Sequence, residues 1–334
     1  LVPEASIKLY ETNSLGKPLK EIPVQVDFEA NKVYWILAEV DSPAKFYRLR
    51  IDISKKAEDV WPKVEIKDDN KDLHVFIGKD NFATYKYTDK WKPFFYPINT
   101  PLGCVVRGRG EEHPHQHGLW MSYGGHMEAG SASLWSEFEG QSGRMVHRAF
   151  RKVVSGTVYA QFVEELDYVK PDGSKILDEV RDIKIYNLPP DGRYIDFELK
   201  LTPPIDAGTK PVSFHCRVAD SMRITENPLG QRRREPSTPS YKSVKSIYLD
   251  MPKSANPGRI VNSEGYSLIK DLPKGASMPA KWIDFSGPVG SGWAGITLMD
   301  HPDNVGHPVP IGGRCYGIIS IGRNYPSDML SGTG

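Results

Sequence analysis

No stretch of this chain stays apolar for the roughly 18 to 20 residues that a membrane-spanning helix needs, and the mean hydropathy is −0.45. A helical membrane protein is therefore excluded. Cysteine is scarce: Cys104, Cys216 and Cys315 lie far apart, are odd in number and show no CxxC spacing. That pattern indicates neither a disulfide framework nor a structural zinc site; buried thiols are the expectation, with one bridged pair in an oxidising compartment as the alternative. A charge excess of either sign is missing too. With 43 basic and 42 acidic residues the formal net charge is +1, so the bulk field recruits neither nucleic acid nor an anionic membrane surface. There is no Walker loop, no GxGxxG after a strand, no GxSxG elbow and no HExxH helix, which removes four common mechanisms.

What is present is strand after strand. EIPVQVDF, KVYWILAEV and KFYRLRIDI are short runs rich in β-branched and aromatic residues, and they predict a small β unit over residues 1–70. The charged passage Lys67–Lys71 marks a linker or turn, and residues 71–334 continue with LHVFIG, ATYKYT, GTVYAQFVEELDYV, YIDFELKL, VSFHCRVA, KWIDFSG, WAGITLMD and CYGIISIG. Pro171-Asp172-Gly173 and Pro189-Pro190-Asp191-Gly192 are turn signals that point to antiparallel hairpins. Only Ile176–Ile185 invites a helical reading. About a dozen strands without alternating helices give an all-β chain, read here as a large antiparallel β-sandwich of the supersandwich kind with a small N-terminal β domain. The long loop Met222–Ser243, carrying QRRREPSTP, is a candidate functional segment.

The densest chemistry is Glu111–Met127, EEHPHQHGLWMSYGGHM, which holds His113, His115, His117 and His126, four of the nine histidines. An extended backbone there would put His113, His115 and His117 on one face. Three readings stay open: a divalent metal held by those three imidazoles, metal-free proton transfer, or local hydrogen bonding alone. Trp120 and Tyr123 follow as candidate substrate contacts, with stacking on sugar weighed against plain packing.

Three further stretches carry polar groups. HCRVADSM supplies Arg217 and Asp220, NSEG supplies Glu264, and MDHPDNVGHP supplies Asp300, His301, Asp303 and His307. Loops on a rigid β scaffold are common places for sites, although each of these residue types also builds turns. In GGRCYG, Arg314 and Tyr316 could neutralise a carboxylate and offer a phenol, or simply bond between sheets. Arg232–Arg234 reads as a solvated basic run.

The ordered blocks FFYPINTPLGCVVRG, EEHPHQHGLW, HCRVADSM, GRIVNSEG, KWIDFSGP, GITLMDHPDN, HPVP and RCYG, from about Pro93 to Tyr316, resemble the DUF6807 family, also labelled PmoA-like or "methane oxygenase PmoA". The family motif is an acidic residue followed by HPHHRGLW. Glu112, His113, Pro114, His115, Gly118, Leu119 and Trp120 match it, whereas Gln116 and His117 stand where His and Arg are usual. The family's Trp-His pair ahead of the arginine and tyrosine is also replaced, here by Ile311 and Gly312. An oxygenase subunit in the membrane would need spanning helices, so that label does not carry over. The resemblance implies a carbohydrate-active β-sandwich of polysaccharide-degrading bacteria, periplasmic or secreted after removal of a signal peptide.

Together these readings predict an enzyme that cleaves a glycosidic bond in a plant or algal oligosaccharide, hydrolase ahead of lyase. His113, His115, His117, Glu264, Asp220 and Asp300 are the candidate catalytic groups. Trp120, Tyr123, His126, Arg217, Arg314, Tyr316 and His301 are the candidate substrate contacts. No cofactor is expected, apart from the divalent metal left open above. The alternatives are a metal-dependent enzyme built on the histidine cluster and a non-catalytic glycan-binding protein.

Overall fold

The computed structural model describes residues 5–37, 46–56, 61–110, 113–124, 134–202, 212–224, 256–265 and 278–322. His126, Glu112, the Arg232–Arg234 run and most of the Met222–Ser243 loop lie outside the described residues. The N-terminal strands are β1 (Ala5–Thr12), β2 (Pro18–Ile22), β3 (Gln25–Asp27), β4 (Lys32–Tyr34) and β5 (Phe46–Lys56). There follow β6 (Val64–Asp68), β7 (Leu73–Ile77), β8 (Asp80–Lys86), β9 (Phe94–Thr100), β10 (Gly103–Cys104), β11 (Leu119–Tyr123), β12 (Arg144–Val154) and β13 (Tyr159–Val169). The chain continues with β14 (Lys175–Tyr186), β15 (Ile195–Thr202), β16 (Val212–Arg217), β17 (Arg259–Asn262), β18 (Met278–Pro279) and β19 (Trp282–Val289). It closes with β20 (Gly292–Met299), β21 (Pro310–Arg314) and β22 (Ile318–Gly322). A 3-10 turn at Asp220–Met222 is the one helical element among the described residues. The protein is all-β, and no described helix is long and apolar enough to cross a membrane.

A ten-stranded antiparallel sheet runs β18-β21-β22-β16-β11-β9-β8-β7-β6, with β10 paired to β9. The sheets β12-β13-β14-β15 and β17-β19-β20 pack against it and complete a sandwich. Between the layers Leu73, Val75, Tyr85, Phe95, Cys216 and Ile319 of the large sheet share one core with Phe162, Ile183, Ile283 and Phe285. Each such side chain contributes about 1.5–3 kcal/mol on leaving water. The segment Ile176–Ile185, open to a helical reading in sequence, is the middle of β14. Its burial alternates residue by residue, the signature of a strand with one face in the core. β6 pairs with β7, so Val64–Asp68 belongs to the large sheet. No disulfide joins the cysteines, and Cys104 is only half buried.

The N-terminal residues form the sheet β2-β1-β5 and the hairpin β3-β4. The hairpin docks on the sandwich through Gln25, whose Oε1 accepts the N–H groups of Val158 (3.0 Å) and Tyr159 (2.9 Å), and through Asp27, paired to Lys152 at 3.1 Å.

The inter-sheet core also holds a buried polar chain. Tyr85 of the large sheet donates to Glu164 at 2.5 Å, and Arg181 donates to Tyr85 Oη at 2.7 Å and to both oxygens of Glu179 at 2.7 and 2.9 Å. Tyr168 donates to Glu179 at 2.6 Å, and His147 Nδ1 lies 2.8 Å from Glu164. Removing one member of a buried ion pair strands the other charge away from water, which costs about 3–5 kcal/mol. Arg181→Met is expected to destabilise the protein by about that amount in urea unfolding, whereas the double variant Arg181→Met/Glu179→Leu recovers much of it. Equal losses in the single and double variants would show that the pair is not coupled.

Candidate functional site

Alternation along the central strands gives the large sheet two unlike faces. On β11, Leu119, Met121 and Tyr123 point into the core, while Trp120 and Ser122 point to the outer face. Register then lines up Phe94 (β9), Trp120 (β11), His215 (β16) and Ser320 (β22) across four strands. His215 lies 2.8 Å from Ser122 Oγ through Nε2 and 2.8 Å from Ser320 Oγ through Nδ1. Its ring stacks on Trp120 at 5.1 Å and meets Trp135 edge-on at 4.5 Å.

Above this row lies the histidine loop, and it is not a strand. His113 has φ +49°, and the Gln116 N–H closes a turn on the His113 carbonyl at 2.8 Å. The imidazoles therefore do not share one face as the two-residue period predicted. His113 stacks parallel to Tyr316 at 5.3 Å, His115 sits 5.9 Å from Trp135, and His117 turns down against Phe94 at 4.1 Å. Gly118 returns the loop to β11 with φ +63°, and a Cβ there would come within 2.1 Å of the Phe95 carbonyl oxygen. Only glycine fits that approach. Backbone bonds lace the loop to β16: Arg107 N–H to Arg217 O at 2.8 Å, Arg217 N–H to Gly118 O at 2.9 Å.

Two charged centres flank the imidazoles. At the first, the Arg217 guanidinium stands 4.7 Å from the centre of the Tyr316 ring. Burial pushes the Tyr316 phenol up, while the charges of Arg314 and Arg217 and a side-chain hydrogen bond from Gln116 act in the opposite direction. Asp220 lies at this rim, exposed, 2.5 Å from Arg223 and 3.5 Å from Arg107.

The second centre is Glu137, whose side chain is 2% exposed. Its carboxylate takes Lys92 Nζ at 3.0 Å, His117 Nε2 at 2.8 Å and Arg109. Lys92 also donates to the carbonyls of His115 (3.1 Å) and Trp135 (3.2 Å). Burial alone would raise the Glu137 carboxyl, but the His117 hydrogen bond and the charges of Lys92, His117 and Arg109 outweigh it and hold the group at about 2. Burial lowers His117, and the Glu137 bond offsets only part of this. A neutral imidazole facing a carboxylate must carry its proton on the nitrogen that meets it, so His117 is protonated on Nε2.

The remaining sequence candidates lie elsewhere. Tyr123 faces the core, edge-on to Tyr168 at 5.8 Å, because it is an odd number of residues from Trp120 on the same strand. Asp300 organises its own loop: its carboxylate accepts Val309 N–H at 2.9 Å and Asn304 Nδ2 at 2.8 Å and meets His307 Nδ1 at 2.6 Å. Glu264 is exposed in the turn after β17, accepting Ser263 Oγ at 2.9 Å. His301 is exposed and accepts the Asp303 N–H. Among the described residues no three His, Cys, Asp or Glu side chains form a metal-sized group. Lys92, Arg109, Trp135 and Glu137 escaped the sequence reading, as they stand in the unremarkable runs WKPFF, RGRG and WSEFEG.

Residues 72–329 match the family described as "Family of unknown function (DUF6807)". The chain belongs to the DUF6807 family. No curated protein and no solved structure matches it. The region that is DUF6807 contains every strand from β7 onward, and with them both charged centres.

The depressed Glu137 and His117 groups fix the sign of the acid response. Each binds its proton more readily in the unfolded chain, so stability falls as pH falls. The Glu137 share is fully present above its ordinary 4.5 and is lost as pH drops toward about 2. Melting temperatures measured across this range should decline in wild type and decline less steeply in Glu137→Gln, which starts from lower stability at neutral pH. Parallel curves would contradict the assignment.

Proposed function

We propose that this protein is a carbohydrate-active enzyme that breaks a glycosidic bond in a plant or algal oligosaccharide by imidazole and phenol acid–base chemistry, of the polysaccharide lyase type. The observation that carries the reading is the assembly of His113, Tyr316 and Arg217 beside His115. Hydrolysis by the usual route needs two carboxyl groups about 5–9.5 Å apart across the bond. Of the carboxylates expected from sequence, Asp300 and Glu264 are engaged in their own turns, and Asp220 meets Arg223 and Arg107. Imidazole, phenol and guanidinium groups beside one another are the set an elimination uses, and they support the lyase form of the proposal.

In an elimination from a uronate, an imidazole of His113 or His115 takes the proton next to the carboxylate. The electron pair forms the new C=C bond, the bond to the glycosidic oxygen breaks, and that oxygen gains a proton from Tyr316. Burial favours the protonated phenol, which suits a donor. Arg217 or Arg314 offsets the charge that develops on the sugar carboxylate. Trp120 and Trp135 give the site an aromatic wall. Work in the periplasm or outside the cell is part of the same proposal.

Incubation with a panel of uronate-containing and neutral oligosaccharides, read by the ultraviolet absorbance of an unsaturated product, tests the reaction. His115→Ala, His113→Ala and Tyr316→Phe should each lose about 10²- to 10⁴-fold in turnover with the melting temperature nearly kept. Full turnover in all three variants would sink the mechanism, and binding without any product would favour a non-catalytic glycan-binding protein.

A further inference from the structure

We infer that Lys92 and Glu137 are a positioning pair, which holds His115 at the candidate site through its backbone and sets which nitrogen of His117 carries the proton. This role rests on the acid–base reading above for its effect on turnover, but its structural content stands apart from that reading.

Lys92 comes from the segment between β8 and β9, Glu137 from the segment before β12, and the histidines from the loop before β11. Sheet pairing joins β9 to β11 at Phe94 and Trp120, close to Lys92 and the histidine loop, but Glu137 stands on no paired strand. The ammonium reaches all three segments: it donates at 3.1 Å to the His115 carbonyl, at 3.2 Å to the Trp135 carbonyl and at 3.0 Å to Glu137. An ammonium has three protons, and three acceptors surround this one. It also lies 5.7 Å from the centre of the Trp120 ring. Glu137 in turn receives His117 Nε2 at 2.8 Å. The carboxylate can only accept, so the proton sits on Nε2 and the His117 Nδ1 lone pair is presented to a buried environment, where it meets no hydrogen-bond donor among the described residues.

A chain fold alone would be served by an apolar plug of similar volume, and replacing a buried ion pair that way is often neutral or stabilising. The positioning role makes a different demand, since apolar side chains would leave the His115 carbonyl and the His117 ring without their anchors. The two roles therefore separate in the double variant Lys92→Met/Glu137→Leu.

In that variant the melting temperature should stay close to wild type, while nitrogen-15 imidazole spectra of the full-length protein should show His117 losing its single Nε2-protonated form. On the oligosaccharide that wild type turns over, kcat should fall by about 100-fold, as a misplacement of about 1 Å can cause, with KM changed by less than about threefold. Glu137→Gln keeps an acceptor and should retain the Nε2 tautomer and most of kcat, with the His117 titration midpoint moved lower. A double variant with an unchanged His117 spectrum, or with kcat recovered alongside stability, overturns the inference. If wild type turns over no glycan, the spectra still decide the positioning role, so failure of the proposed reaction and failure of this inference are distinguishable. If the double variant does not fold, the pair is structural and the inference falls, unless Glu137→Gln shows the lowered His117 midpoint with its tautomer kept.

Discussion

The whole arrangement depends on one constraint, that successive side chains of a strand point to opposite faces. In the ten-stranded sheet the central strands serve both a core and a site. Leu119, Cys216 and Ile319 fill one face in register, and one residue along each strand Trp120, His215 and Ser320 fill the other. A slip of one residue in any pairing would exchange the two rows, placing imidazole and hydroxyl in the hydrocarbon core and leucine at the site. The apolar core thus fixes the polar row as firmly as it fixes itself.

Strand pairing does not reach the loops, and there buried charge takes over. The two polar centres enclosed by the protein work at different places. The Glu179–Arg181–Tyr85–Glu164 chain ties the small sheet to the large one inside the sandwich, and the Glu137 centre ties three loops together above the outer face. Such groups add little net stability, because desolvation offsets most of the attraction, yet each pairing error would strand a charge. Their effect is to make one geometry much better than its neighbours.

The candidate chemistry follows from where the histidine loop is held. His113 adopts a left-handed conformation that few non-glycine residues take, and its ring lies parallel to Tyr316, which comes from the turn between β21 and β22. Segments just over two hundred residues apart in sequence meet there. The result pairs imidazole with phenol and guanidinium, the groups on which the lyase proposal rests.

The sequence by itself determined the all-β class, most of the strands and the family, and it singled out His113, His115, Arg217 and Tyr316 as candidates. These were legible because alternation, turn residues and clustered motifs are local properties of a chain. Tertiary structure alone decided that Ile176–Ile185 is a strand, that Tyr123 faces the core, that Asp300 and Glu264 serve their own turns, and that His117 turns to Phe94 and Glu137 while His113 and His115 stay neighbours. It alone brought in Lys92 and Glu137. A lysine in WKPFF and a glutamate in WSEFEG look like surface residues until the fold removes water from both and sets them 3.0 Å apart, and no local pattern encodes that meeting.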